Sequence, residues 1–203
     1  MITHLPSSNR GRPREFDVDA ALRLAIDVFR ERGYTATSIV DLITGMQLSR
    51  GSFYKAYTDK KSVFTAAYDL YAAEGAQRLR AVARMPGTGR DRIAAVLVHY
   101  AEMAQGAAGQ RGCLVIATAV ELSLHDPDIA ARVVASWRST ETLLGDLLAE
   151  AEQDGSIGML DDRAATARAL LCLMQGMRLV GKSGVHGKAG FEAAARQAMK
   201  LVD

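Results

Sequence analysis

Between Thr35 and Tyr57 the chain sets two short helix signals around a four-residue break, the spacing of a helix-turn-helix and also of hairpins within many helical bundles. Thr35-Ala36-Thr37-Ser38 offers Thr37 as the cap of a helix carrying Ile39, Leu42 and Ile43. Gly45 stops that helix, the turn runs Gly45-Met46-Gln47-Leu48, and Ser49 caps a second helix from Arg50 to Tyr57. Two short helices joined by a turn of this length, with a glycine in it, make a helix-turn-helix. Upstream, Asp17 caps a helix that Gly33 ends, and its Val18, Leu22, Ala25 and Phe29 fall on one stripe. Ile39, Leu42, Leu48 and Phe53 are expected to pack on the Leu22/Phe29 face. That arrangement leaves Arg50, Ser52, Tyr54 and Lys55 on the outer side.

The remaining chain reads as further helices. Asp59 caps a long one carrying Val63, Phe64, Ala67 and Tyr71 toward Arg84, and Pro86-Gly87-Thr88-Gly89 breaks it. Others are expected from Arg90 to Ala107, ended by Gly106 and Gly109, from Cys113 to Leu124, and from Asp128 to Asp154 behind Asp126-Pro127. Asp161 or Asp162 caps a helix ending near Lys182, and Phe191 to Val202 forms the last. Ala, Leu, Arg, Glu and Met are abundant and Val/Ile/Thr alternation is rare, so the expected fold class is all-α with about nine helices.

No run of eighteen uncharged apolar residues occurs, so no membrane partner is expected. Met1 to Arg14 has arginines without an apolar run behind them, unlike a secretory signal. Cys113 and Cys172 are too few for a disulfide framework, and the expected compartment is the cytoplasm. The net charge of +2 is unevenly divided: residues 1–62 hold ten Lys/Arg against seven Asp/Glu, and residues 63–203 hold fifteen against sixteen. Arg10, Arg12 and Arg14 stand in a stretch without an acid, a place suited to a polyanion.

Residues 32–64, RGYTATSIVDLITGMQLSRGSFYKAYTDKKSVF, resemble the DNA-binding region of the TetR/AcrR family of bacterial regulators. Gly33, Tyr34, Thr37, Ser38, Ile39, Ser49, Gly51, Tyr54 and Lys60 fall in register with that pattern. The chain departs from it at Gly45-Met46-Gln47-Leu48, at Phe53 and at Tyr57, exchanging one core residue for another. The resemblance implies a basic arm over residues 1–14, a helix-turn-helix DNA-binding domain over 15–62 and a helical ligand-binding and dimerisation domain over 63–203. It makes the Arg50–Tyr57 helix the one that enters the major groove.

The partners implied are double-stranded operator DNA, a second copy of the chain, and a small-molecule inducer. Arg50 suits a guanine edge; Ser49, Ser52, Tyr54, Lys55 and Lys60 suit a base edge or phosphate, and Gly51 permits close backbone approach. Thr37 and Ser38 at a helix N-terminus suit phosphate. Arg10, Arg12 and Arg14 suit an adjacent minor groove. The dimer interface is expected on Ala164–Gly181 and Phe191–Val202. Tyr71, His99, Tyr100, Met103, Cys113, Trp137, Met174 and Met177 are the expected inducer-pocket residues.

Cys113 follows Arg111-Gly112 at a helix start, where an electropositive setting would favour a thiolate. Arg111 to Leu114 with Glu121 resemble a stretch of part of the family, which implies either a redox or electrophile sensor or an inert packed thiol. Cys172 reads as core. Four histidines, no Gly-x-Ser-x-Gly elbow, no P-loop and no zinc-ligand cluster argue against an enzyme and give no reason to expect a metal or cofactor. The rival reading is a helical protein-interaction bundle that does not bind DNA.

Overall fold

The computed structural model describes residues 17–203, and among them every regular element is helical. Short polar caps set most of the helix starts. Asp17 accepts from the Ala20 amide to open α1 (Val18–Arg32), and Ser49 does the same from Ser52 for α3 (Arg50–Ala56). For α2 (Ile39–Gly45) the cap is Ser38, one residue later than expected, in a reciprocal box with Asp41. Asp59 and Ser62 form a like box on α4 (Lys60–Ala83), and Thr88 and Asp91 on α5 (Gly89–Met103). Asp126 opens α8 (Pro127–Gln153) with proline at the first helical position, and Asp162 opens α9 (Arg163–Gly181).

A five-residue helix, α6 (Gly106–Gln110), lies where the sequence suggested only a terminator. The expected Cys113–Leu124 helix is α7 (Leu114–Leu122), with Cys113 at its cap position. The last helix, α10, begins earlier than expected, at Lys188, runs to Ala198, and tightens into a 3-10 turn over Met199–Leu201.

Two apolar cores organise these helices. The first gathers Leu22, Ala25 and Phe29 of α1, Leu42 of α2, Phe53 of α3 and Val63, Phe64 and Tyr68 of α4. It also takes in Leu114 of α7 and Ile129 and Val133 of α8, so the helix-turn-helix is seated on the rest of the chain. The second core joins Leu79 and Ala83 of α4 to Ile93, Leu97, Leu144, Leu148, Leu170, Met174 and Phe191. Helix α4 thus belongs to both, and Trp137 touches both.

The reading of Cys172 as core is corrected: it is exposed on the outer face of α9. That face steps through Ala165, Ala169, Cys172, Gly176 and Leu179 at spacings of three and four, with Leu179 56% exposed. The inner face of α9, which packs on α8 and α5, takes Leu170, Met174 and Met177 instead.

Candidate nucleic-acid interface and adjoining cavity

The helix-turn-helix turn is made by a non-glycine residue. Gln47 takes the left-handed conformation (φ 57°), while Gly45 serves packing, because a Cβ there would stand 2.4 Å from Val28 Cγ2. With Leu42, Met46 and Phe53 fully buried beneath, the outer side of α3 is left open among the described residues. Ser49, Arg50, Gly51, Tyr54 and Lys55 are exposed there and Ser52 is half-buried, its hydroxyl 2.9 Å from that of Ser49. The salt bridges nearby are Arg32–Asp41 and Lys61–Asp126; neither Arg50 nor Lys55 forms one among the described residues. Arg50 instead lies 5.8 Å from the Tyr54 ring centre, a cation held over an aromatic face at the surface.

Thr37 and Lys60 are placed differently. Thr37 is 1% exposed and its hydroxyl donates to the Gly33 carbonyl at 2.5 Å. The Lys60 ammonium donates to the carbonyls of Tyr34 (3.0 Å) and Thr37 (2.9 Å) and sits 4.3 Å from the Tyr34 ring centre. Ser38 is exposed at the start of α2, its hydroxyl engaged with Asp41. Arg10, Arg12 and Arg14 lie outside the described residues.

The loop between α1 and α2 is held from two sides. Lys60 of α4 takes its carbonyls, and Glu121 of α7 takes its amides, from Tyr34 (2.8 Å) and Thr35 (2.6 Å). Burial pushes the Glu121 carboxyl up, but the hydrogen bonds from Thr35 and Tyr34 and the Lys60 charge outweigh it and hold the carboxyl below its ordinary range. A second junction stands at the other end of α7. Gly112, left-handed at φ 77°, presents its carbonyl to Arg30 of α1 (Nη2 2.7 Å, Nε 3.1 Å) and to Arg178 of α9 (3.3 Å). The segment that carries Cys113 is therefore tied at both ends to the helix-turn-helix.

Behind that segment lies a cavity of about 110 Å³ between α4, α5, α8 and α9. Tyr71, His99, Tyr100, Met103, Cys113 and Trp137 line it, as the sequence suggested, whereas Met174 and Met177 belong to the bundle core. The sequence did not single out Arg178, Gln175, Thr140 or Ser136, which also line it. Arg178 carried a signal: it follows Met174 by four and Met177 by one, on the buried face of α9. Burial, with the neighbouring Cys113, pushes the Tyr100 phenol up to about 12, against the polar Gln175 and Thr140 and the Arg178 charge. Burial likewise raises Tyr71, helped by the adjacent Cys113 and opposed by Arg178 and Arg30. His99 is lowered by burial first, against Glu102, and by Arg78 and Arg178, so its neutral form dominates at neutral pH.

Known proteins share this arrangement. Residues 21–67 match the model of bacterial regulatory proteins of the tetR family, and residues 89–199 match the tetracyclin repressor-like C-terminal domain. The chain belongs to the TetR family. Among curated members, the HTH-type transcriptional repressor ComR of Escherichia coli (strain K12) is 29% identical over 187 residues, covering 90% of this chain and 87% of ComR. The uncharacterized HTH-type transcriptional regulator YezE of Bacillus subtilis (strain 168) is 30% identical over 165 residues, covering 79% and 83%. Among solved structures, a cysteine-substituted form of the TetR family transcriptional regulator CifR, complexed with 26 bp double-strand operator DNA, superposes with a TM-score of 0.82. It is 25% identical and covers 93% of this chain and 98% of that one. In this TetR-family regulator the first match ends inside α4, the helix common to both cores. No described helix is long and apolar enough to cross a membrane.

Proposed function

We propose that the chain is a homodimeric, ligand-responsive transcriptional repressor that grips operator DNA through α3 and releases it when the cavity is occupied. One observation carries this reading: the exposed cationic face of α3, Arg50 to Lys55, unpaired among the described residues, stands on a helix-turn-helix whose inner side is fully buried. Arg50 is suited to a bidentate contact with a guanine edge, and Gly51 to close approach of the sugar-phosphate chain. Ser49, Ser52, Tyr54, Lys55 and the exposed Ser38 are suited to phosphate. Thr37 and Lys60 act at one remove, by fixing the loop that orients α2 and α3. Arg10, Arg12 and Arg14 serve as an arm to the minor groove. The operator complex of CifR and the repressor name of ComR support the assignment.

The division is a basic arm over 1–14, a DNA-binding domain over 15–62 and a ligand-binding and dimerisation domain over 63–203, working in the cytoplasm where the operator is. Dimerisation covers the outer face of α9 from Ala165 to Leu179, including Cys172. The role is regulatory rather than enzymatic.

Release follows from what α4 and α7 connect. Helix α4 lines the cavity with Tyr71, Gly75 and Leu79 and begins at the Lys60 clamp. Helix α7 begins at Cys113 in the cavity wall and carries Glu121 on the same loop. An occupant that shifts either helix moves the loop and with it the spacing of the two recognition helices. It must bind the released state more tightly than the DNA-bound state, since equal affinity for both shifts nothing. A thiol-reactive electrophile adding to Cys113 would act at the same wall.

Footprinting on the DNA upstream of the gene, with sedimentation of the protein alone, tests the proposal. The expected result is a dimer protecting two half-sites about 10 bp apart, centre to centre. A monomer that protects nothing, with no salt-dependent affinity for duplex DNA, is the protein-interaction bundle instead. Release by a quinone in wild type but not in Cys113→Ser supports the thiol route, and equal release in both removes it.

A further inference from the structure

The polar groups lining the cavity are biased toward hydrogen-bond donation and positive charge. Arg178 is 5% exposed, and a charge so deeply placed is ordinarily matched by an opposite one. Its guanidinium donates to the carbonyls of Met103 and Gly112, which are neutral, and it forms no salt bridge among the described residues. Arg30 crowds the same Gly112 carbonyl, so two guanidiniums share one uncharged oxygen. No aspartate or glutamate stands among the lining residues. Trp137, also in the wall, has its indole Nε1 buried with no acceptor among the described residues. Two residues of one wall thus contribute a donor without an acceptor and a cation without an anion among the described residues, a pair suited to a carboxylate.

Size narrows the rest of the occupant. At about 110 Å³ the space is close to the roughly 150 Å³ of an apolar cavity that takes benzene. Its walls are otherwise mainly aromatic and aliphatic, among them Tyr71, Leu79, Tyr100, Met103 and Val115. Taking the cavity as the effector site, as proposed above, we infer that its ligand is a compact organic monoanion: a carboxylate on a single aromatic ring or on a branched chain of similar bulk. The carboxylate faces Arg178 and the Trp137 N–H, and the apolar body fills the space toward Tyr71 and Leu79. Binding is non-covalent and does not require the Cys113 thiol.

Trp137 is the one tryptophan of the chain, so its fluorescence reports occupancy directly. Full-length protein is titrated with benzoate, phenylacetate and 3-methylbutanoate, each against its neutral primary amide, with a two-ring naphthoate as the size control. The expected result is saturable binding of at least one single-ring or branched carboxylate, at least tenfold tighter than its amide and than naphthoate. Trp137→Phe keeps one aromatic ring and removes the pyrrole ring with its N–H; followed by calorimetry, it is expected to weaken that carboxylate at least threefold more than its amide. Arg178→Met is expected to abolish the preference for acid over amide. If Arg178→Met does not fold, Trp137→Phe and the acid–amide pairs decide alone. Equal affinity for acids and amides, no binding of any acid, or an equal loss for acid and amide in Trp137→Phe overturns the inference. Operator binding is measured on the same preparation. Protein that binds its operator but no carboxylate refutes this inference and leaves the regulator standing, whereas protein that binds a carboxylate and no DNA refutes the repressor.

Discussion

The recognition face of α3 and the wall of the cavity hold their arginines in opposite physical situations. Arg50 is exposed, free of any salt bridge among the described residues, and still hydrated. Arg178 is buried against two neutral carbonyls. A surface charge costs little to hold ready and yields its energy when it meets phosphate or a base edge, in a manner that salt weakens. A buried charge has already given up its water and depends on what packs around it. Function and stability should therefore separate cleanly at α3 and remain entangled at the cavity and its junctions.

The largest effect expected on the DNA-binding side comes from the floor beneath the recognition face. Phe53 is fully buried among α1, α2 and α4, and Phe53→Ala should cost about 3–5 kcal/mol in denaturant unfolding. A loss below about 1 kcal/mol would mean that α3 does not rest on that core.

Glu121→Gln should come next, costing on the order of 1–2 kcal/mol through weakened bonds to the Tyr34 and Thr35 amides. Its pH dependence has a definite sign. The folded carboxyl lies below its ordinary 4.5, so its contribution is complete above the unfolded value and is lost as pH falls through the folded one. Acid unfolding of wild type should therefore be steeper than that of Glu121→Gln across this window. Identical acid profiles would remove Glu121 as a coupling residue.

Deleting residues 1–14 should weaken operator binding several-fold and lessen its salt dependence; an unchanged salt titration would exclude the arm. The smallest effect is expected at Tyr57, whose buried hydroxyl finds no partner among the described residues and whose phenol burial pushes up. Tyr57→Phe should raise stability by about 1 kcal/mol or less, and a loss would reveal an unseen partner for the hydroxyl.

The same contrast explains what could be read from the sequence. The helix-turn-helix is coded locally: caps, stripe and outer face lie between Asp17 and Asp59, so Asp17, Ser49, Asp59 and the Arg50–Lys55 face could be assigned in order. Thr37 and Ser38 were transposed because both bear a hydroxyl, and only the buried Gly33 carbonyl decides which one turns inward. Helix α6 was missed because Gly106 and Gly109 read as stops, although they lie within that single short helix.

The cavity is assembled from four long helices. Periodicity marked Tyr71, Tyr100 and Trp137 as inward-facing but could not tell which inward residues meet a void. Met174 and Met177 share the inner face of α9 with Arg178, yet Arg178 lines the cavity and they fill the core. The convergence of Arg30 and Arg178 on one carbonyl, and of Glu121 and Lys60 on one loop, joins residues 23 to 87 positions apart. No local pattern records such meetings.

The central claim is that the exposed cationic face of α3 reads duplex DNA, and a salt titration of operator affinity for wild type beside Arg50→Ala tests it most directly. Wild type should bind its upstream DNA with an affinity that falls steeply with salt. Arg50→Ala should bind about 10- to 100-fold more weakly, equivalent to roughly 1–3 kcal/mol, with an unchanged unfolding midpoint. Equal affinities for the two proteins at every salt concentration would contradict the account.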